Sequence, residues 1–290
     1  MKYRVRHTTT YDYGESVDLA SHMLHLLPRA LPQQSVAGAA LETTPAAARA
    51  THGTDHFGNR VSWLFLDLPH AAFEARLSAT VEVAFPPPPA AATTAAWESV
   101  ASAVRGSGRE TWQVAEFAFA SPMAPADAAV GVYAAVSFPP GRPVLAGLLE
   151  LTQRIRNDFT FRPGVTTIAT PVGQVLTQRE GVCQDFTHLM IAGLRALGLP
   201  ARYVSGYIRT RPPPGGVKRR GADQSHAWVS TWLGPVHGWI DLDPTNNLVV
   251  QDEHVVLGWG RDYGDVSPVR GVILGGGSHS LSVSVDLEAV

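Results

Sequence analysis

The chain is poor in cysteine, in net charge and in long apolar runs. A single cysteine among 290 residues excludes an intrachain disulfide. The net charge of −2, with only 17% charged residues, gives no electrostatic reason to expect nucleic acid or an anionic membrane as a partner. No stretch approaches the roughly 20 apolar residues of a membrane-spanning helix. These absences leave a globular protein long enough for one large domain or two ordinary ones.

The N-terminal residues also lack the apolar core of a signal peptide. Met1 to Arg6 alternate between apolar and basic side chains instead. We therefore expect a cytoplasmic protein whose one thiol stays reduced and available for chemistry.

A run of four prolines, Pro86 to Pro89, divides the chain. Proline cannot donate to a central strand, so the run predicts a linker. Residues 1–85 alternate apolar and polar side chains as half-buried strands do, which predicts an N-terminal β-rich domain. Residues 86–140 predict the linker with short helices. Residues 141–290 predict a second domain that mixes helices with strands and ends in further strands.

The best-defined helix begins at the lone cysteine. Gly198 and Pro200 end it, so it runs from about Val182 to Leu197 with Cys183 in its first turn. The unpaired amides and the positive dipole end of that turn favour a thiolate and can hold a developing oxyanion. A buried, inert cysteine is the alternative, and position alone does not decide between the two. The apolar stripe of this helix comprises Phe186, Leu189, Met190, Gly193, Leu194 and Leu197.

Two downstream strands predict partners for the thiol. Residues 226–233 and 239–243 alternate as strands, and residues 234–237 indicate a hairpin loop between them. With a four-residue loop, Asp243 becomes the diagonal neighbour of His226 on the same face. A shift of one residue would put them on opposite faces. The hairpin therefore predicts an Asp–His contact.

Each of these residues also has an ordinary structural interpretation. His226 suits a surface or barrel histidine, and Asp243 suits a turn before Pro244. Only the combination of thiol, imidazole and carboxylate favours a cysteine nucleophile. A metal site of Cys183, His188 and His226 is disfavoured, because residues five apart on a helix point away from a common centre.

Four segments carry a resemblance to a known family: Gly181 to Met190, Gly198 to Tyr207, Ser225 to Val229, and Gly238-Trp239 with Asp243 to Asn247. They closely resemble the bacterial transglutaminase-like superfamily of cysteine enzymes over roughly residues 140–250. The first 85 residues look like the N-terminal β-domain of these proteins, and Gly260 to Tyr263 resembles a segment after their core. The resemblance implies an α+β, papain-like fold, in which the cysteine helix packs on an antiparallel sheet or barrel that carries the His and the Asp.

The resemblance also implies roles for individual residues. Cys183 becomes the nucleophile, His226 the general base and acid, and Asp243 the orienting carboxylate. Asp241 competes for the last role because it lies on the same strand face. The backbone amide of Cys183 becomes one oxyanion donor.

Other residues are expected around this centre. Gln178 or Gln184 is the expected second oxyanion donor, although another group can fill that role. We expect Trp228 to shield the His–Asp pair from water and Tyr207 to line the site. Asp185 and His188 are expected to brace the loops around it.

The implied reaction is acyl transfer without a cofactor. The thiolate attacks an amide carbonyl of a peptide or protein, and water or an amine resolves the thioester. Water makes the protein a peptidase or amidase, which we favour because no feature suggests a hydrophobic tunnel for an amine. An amine makes it a transglutaminase.

One alternative function and one basic segment remain to be interpreted from the sequence. A noncatalytic peptide-binding module on the same fold is an alternative of another class, and the intact Cys-His-Asp set disfavours it. The basic segment from Arg209 to Arg220 is interpreted as a solvated loop, with a mobile flap for acidic substrates as its alternative.

Overall fold

A computed structural model describes residues 1–105, 111–210 and 223–290. Most of the basic segment from Arg209 to Arg220 therefore lies outside the described residues. The strands are β1 (Lys2–Leu24), β2 (Gln34–Thr44), β3 (Arg49–Thr54), β4 (Arg60–Leu66), β5 (His70–Val83), β6 (Thr160–Phe161), β7 (Glu180–Gly181), β8 (Ala201–Ile208), β9 (Gln224–Trp232), β10 (Trp239–Asp243), β11 (Leu248–Val249), β12 (His254–Gly260), β13 (Val269–Gly275) and β14 (His279–Ala289). The α-helices are α1 (Trp97–Ala103), α2 (Thr111–Ala115), α3 (Ala128–Ala135), α4 (Val144–Asp158), α5 (Val172–Gln178), α6 (Cys183–Ala196) and α7 (Tyr263–Val266), and Ala91–Thr93 and Glu116–Ala118 form short 3₁₀ helices.

The long strand β1 organises the first sheet. Its residues alternate between buried and exposed, as in Tyr3, Val5 and His7, so one face joins the core. The path of the sheet is β2-β5-β1-β4-β3, and β13 and β14 also pair with β1. The two C-terminal strands thus return to the N-terminal sheet, although the predicted division assigned them to the second domain. The domain boundaries themselves stay a prediction.

The second sheet is antiparallel with the order β11-β10-β9-β8-β12. Trp239 pairs with Trp232 and Leu242 with Val229, which confirms the predicted hairpin register. Gly206 of β8 lies opposite His226. A Cβ there would lie 2.2 Å from the carbonyl oxygen of Val255 and 2.4 Å from the Trp228 ring, so only glycine fits.

Helix α6 packs its apolar stripe against this sheet and against the other helices. Its predicted extent is confirmed, with Val182 as N-cap and Leu197 as C-cap. Gly198 takes a positive φ of 76°, as predicted for the residue that ends the helix. Phe186 and Leu189 are buried in the main core together with β8 and β9 side chains. The α+β class and the helix-on-sheet arrangement are both confirmed.

Two amide side chains dock the first sheet onto β12. Gln34 donates to the carbonyl of Val256 and accepts from its N–H, both at 2.8 Å. Asn59 does the same at Trp259, at 2.7 and 2.9 Å. Each side chain thereby replaces a neighbouring strand for one residue of β12. These two contacts fix the position of β12 relative to the first sheet.

The helices of the second half are short, apart from α4 and α6. Within residues 1–105, 111–210 and 223–290, none is both long and apolar enough to cross a membrane.

Candidate active site

Cys183 is the first residue of α6, directly after the short strand β7. Asp185 fixes this turn, because its Oδ2 accepts the N–H of Val182 and the hydroxyl of Thr166, both at 2.7 Å. Burial raises the pKa of Asp185, and these two hydrogen bonds oppose the rise. The expectation that Asp185 braces the site is confirmed by these contacts. Cys183 remains partly exposed at the helix start.

His226 and Asp243 meet on the neighbouring strands β9 and β10. Nε2–H of His226 donates to Oδ2 of Asp243 at 2.8 Å, and both side chains are buried. Cys183 and His226 line the same cavity, and Cys183 lies close enough to His226 to raise its pKa. The Asp243 carboxylate occupies Nε2 and leaves Nδ1 as the ring nitrogen available to the thiol. Thiol, imidazole and carboxylate are therefore brought together at one place.

The carboxylate of Asp243 is surrounded by donors. Its Oδ1 accepts the backbone N–H groups of Thr245 and Asn246 at 2.9 and 3.1 Å. Its Oδ2 also accepts from the Asn246 side chain at 2.7 Å and from Nε2–H of His254 at 3.1 Å. This set fixes the carboxylate and compensates for its complete burial.

The pKa values of His226 and Asp243 are shifted in opposite directions from their ordinary values. Burial lowers the pKa of His226, but its hydrogen bond to Asp243 and its interactions with the negative charges of Asp243 and Cys183 outweigh burial and raise the pKa to about 10. Burial alone would raise the pKa of Asp243, but hydrogen bonds and charge from His226 and His254 hold it well below its ordinary value. At neutral pH the imidazole is therefore charged between a carboxylate and the sulfur.

A cavity of about 280 Å³ opens onto Cys183 and His226. The side of the cavity that carries Cys183 contributes, among others, Tyr203, a buried residue whose pKa is raised by burial and by the charge of Cys183. The opposite wall comes from the N-terminal sheet and its C-terminal strands: His7, Thr9, Tyr11, Val269, Leu281 and Val283. Burial lowers the pKa of His7 to about 4, so this wall histidine is neutral. The cleft therefore lies between the two sheets.

The predicted lining residues divide between the cleft and its surroundings. Gln184 lines the cavity. Gln178 does not, and this corrects the expectation: it ends α5 as an exposed side chain. Tyr207 does not line the cavity either, and this corrects the expectation that it lines the site. It is fully buried behind the cleft wall, with its ring 5.5 Å from that of His7.

Trp228 and Asp241 lie under the His–Asp pair. The buried Trp228 ring is 6.1 Å from the His226 ring, and its Nε1–H donates to Asp241 at 2.9 Å. Asp241 is thus engaged by the indole, and the carboxylate that contacts His226 is Asp243.

His188 of α6 holds the first residue of α7, Tyr263. Nε2 of His188 accepts the N–H of Tyr263 at 3.2 Å, which confirms the expected supporting contact. Tyr263 itself lines the cavity. Since His188 is turned toward this backbone, it does not join Cys183 and His226 in a ligand set.

Sequence reasoning missed His254 and Asn246 as partners of Asp243. His254 belongs to β12, which is separated from β10 by two strands in the sheet order, so hairpin register gives no signal for it. Asn246 follows Asp243 in the turn, and an amide there was a usable signal for a side chain that caps the carboxylate. The wall from β1 and β14 was missed because it depends on how the two sheets pack.

His226, Asp243 and His254 also form a group whose ligand atoms lie within 4.8 Å of one another. Both imidazoles direct an Nε2–H at the same carboxylate oxygen, whereas a metal requires unprotonated nitrogens. As arranged, the group is a hydrogen-bond network.

Family models match both halves of the chain. Residues 3–82 match the bacterial transglutaminase-like N-terminal region, and residues 140–244 match the transglutaminase-like superfamily. The chain belongs to the transglutaminase-like superfamily, which confirms the resemblance.

Individual relatives agree with this assignment. An uncharacterized protein of Mycobacterium tuberculosis is 41% identical over 293 residues, which cover 99% of this chain and 92% of that protein. A protein-glutamine gamma-glutamyltransferase of Pseudomonas aeruginosa is 33% identical over 103 residues, or 35% of this chain and 15% of that protein. The crystal structure of a candidate cysteine protease from Cytophaga hutchinsonii superposes with a TM-score of 0.75 at 22% identity, covering 100% of this chain and 91% of that one. This last similarity shows the fold.

Proposed function

We propose that the protein is a cysteine-dependent acyl transferase that acts on an amide of a peptide or protein and, with water as acceptor, works as a peptidase or amidase. The observation that carries this proposal is the hydrogen bond from His226 to the buried Asp243, with Cys183 and His226 on the wall of the same cavity. A thiol beside a charged, oriented imidazole is an activated nucleophile.

The reaction proceeds in two balanced steps. The Cys183 thiolate attacks the amide carbonyl, the C–N bond breaks, and Nδ1–H of His226 protonates the leaving amine or ammonia. The neutral His226 then takes a proton from water, whose oxygen attacks the thioester. The carboxylic acid leaves, and the thiolate and the imidazolium are restored. Asp243 keeps the imidazole oriented throughout.

The amides of the first turn of α6 supply the oxyanion contact. As the first residue of the helix, Cys183 has a backbone N–H without an intrahelical acceptor, and Cys183 lines the cavity. Gln184, which lines the cavity, is the preferred second donor.

Transfer to an amine is the second candidate. The gamma-glutamyltransferase of Pseudomonas aeruginosa is similar to this chain over 103 residues. The apolar cleft wall from Leu281 and Val283 offers an amine-bearing side chain a surface to pack on. A cytoplasmic location, in which the thiol stays reduced, is part of the proposal.

Mass spectrometry of glutamine-containing peptides incubated with the protein, with and without a primary amine, tests both candidates. Cleavage of a peptide bond or loss of ammonia identifies hydrolysis, and addition of the amine identifies transfer. The Cys183→Ala variant must abolish either signal. If a broad peptide library stays unchanged with the wild-type protein, or if the variant retains the activity, the proposed chemistry is wrong.

A further inference from the structure

A second cavity, also about 280 Å³, is lined by loops of the N-terminal half, by α2 with the 3₁₀ helix that follows it, and by strands β8, β10 and β12. None of its lining residues lines the cleft at Cys183. Its most unusual side chains are two arginines and three tryptophans: Arg29, Arg202, Trp112, Trp239 and Trp259. We call this cavity the Arg202 pocket.

The arginines and indoles of the pocket form an alternating stack. The Arg29 guanidinium carbon lies 3.6 Å from the centre of the Trp259 ring. The Arg202 carbon lies 3.8 Å from the same ring and 4.1 Å from that of Trp239. Two groups this close to one ring centre must lie on opposite faces, so the Arg202 guanidinium is held between two indoles.

Arg202 has no acceptor in the part of the chain that the structure describes. Its Nε is buried without a hydrogen bond, and no described carboxylate forms an ion pair with it. By contrast, Arg29 is satisfied by the carbonyl of Phe57 and the side chain of Asn59. Asp241 lies near enough to act on Arg202 through its charge, but it accepts its hydrogen bond from Trp228.

The charge of Arg202 persists at neutral pH. Burial lowers its pKa to about 9, and the charge of Asp241 opposes this fall. A partly buried guanidinium that is packed between indoles and has no anion is unfavourable, and a bound oxyanion offsets that cost. The one acid in the lining, Glu116, is already engaged with His56 at 3.0 Å.

We propose that the Arg202 pocket binds the carboxylate of an organic acid with a flat or apolar body. The planar guanidinium matches a carboxylate in shape and charge. Phe117, Trp112 and Trp239 provide the apolar walls for the body of the ligand. A cavity of about 150 Å³ holds a benzene molecule, so this volume accommodates a ring together with its acid group. Both a free aromatic acid and the C-terminal carboxylate of a peptide meet this description.

Tryptophan emission of the full-length Cys183→Ala protein tests the site, because three of the 7 tryptophans line the pocket. The probes are benzoate, N-acetylphenylalanine and the neutral N-acetylphenylalanine amide. We expect saturable changes, and a raised melting temperature, with the two acids and not with the amide. Tighter binding of N-acetylphenylalanine identifies a peptide terminus as the ligand type, and tighter binding of benzoate identifies a free acid.

Three variants complete the test. Arg202→Gln should weaken acid binding by at least about tenfold, the loss expected for one charge-assisted contact. Arg156→Gln, which removes an exposed arginine on α4, should leave it unchanged. Trp112→Ala alters a side chain that is 56% exposed, so it should fold normally and weaken binding severalfold. Equal binding of the acid and the amide, no saturation by about 10 mM, or acid binding by Arg202→Gln at wild-type strength would overturn the proposal.

Discussion

At the scale of single residues, the most consequential property of the candidate site is the charge on His226. The raised pKa of His226 keeps the imidazolium beside the sulfur across the neutral range. The same shift has a consequence for folding. Because folding raises the pKa of His226 from 6.5 to about 10, the protonated imidazole stabilises the folded chain. This contribution is fully present below pH 6.5 and is lost as the pH rises through about 10.

We predict that iodoacetamide alkylates Cys183 at pH 6 within severalfold of its rate at pH 8. In His226→Ala the rate should instead rise by about tenfold per pH unit, as for a free thiol that titrates alone. With one cysteine in the chain, intact-protein mass spectrometry measures the rate directly. His237→Ala, on the hairpin loop, is the matched control and should behave as the wild type. Identical pH profiles for wild type and His226→Ala would contradict the role of the imidazole.

Sequence was sufficient for the contact between His226 and Asp243 and insufficient for what surrounds it. Strand alternation and a four-residue loop fix the face and register of both residues, so their contact follows from local rules. His254 reaches the same carboxylate from β12, across the sheet, and only tertiary structure brings it there. Gln178 shows the opposite error, because closeness to Cys183 along the chain did not put it in the cleft.

At the scale of elements, α6 and the β9–β10 hairpin were predictable because each has a strong periodic pattern and distinct end signals. The attachment of β12 to the N-terminal sheet was not. It depends on Gln34 and Asn59, two amides that look like ordinary polar residues in the sequence. Asn59 approaches β12 so closely that a Cβ at Gly258 would lie 2.7 Å from its side-chain oxygen.

We predict that Asn59→Ala lowers the free energy of unfolding by about 3 kcal/mol, because it leaves the partly buried backbone N–H and carbonyl of Trp259 without their side-chain partners. Urea unfolding followed by circular dichroism measures this change. Asn157→Ala, at an exposed position of α4, should cost less than about 0.5 kcal/mol. Similar losses in the two variants would show that the two hydrogen bonds between Asn59 and Trp259 do not contribute to stability.

At the scale of the whole molecule, the chain returns to its start: β14 pairs with β1 so that Tyr11 faces Leu281 and Thr9 faces Val283. These residues form the wall opposite Cys183. The family model for the N-terminal region ends at residue 82, so the wall combines that region with strands from the other end of the chain. The N-terminal sheet therefore lines the cleft of the candidate site, and we expect it to contact the substrate while Cys183 and its partners carry out the proposed chemistry.

The expected contact between this wall and the substrate predicts the effect of Leu281→Ser. Leu281 is 55% exposed on the cleft wall, and its loss should remove about 1 kcal/mol of apolar contact with a substrate side chain. We expect KM for peptides with an apolar residue beside the reactive amide to rise by about fivefold, with kcat changed by less than about twofold. Val272→Ser removes a similar side chain, 77% exposed, from β13 outside the cleft and should leave both constants unchanged. A fall in kcat without a change in KM would mean that the wall supports the catalytic residues and does not contact the substrate.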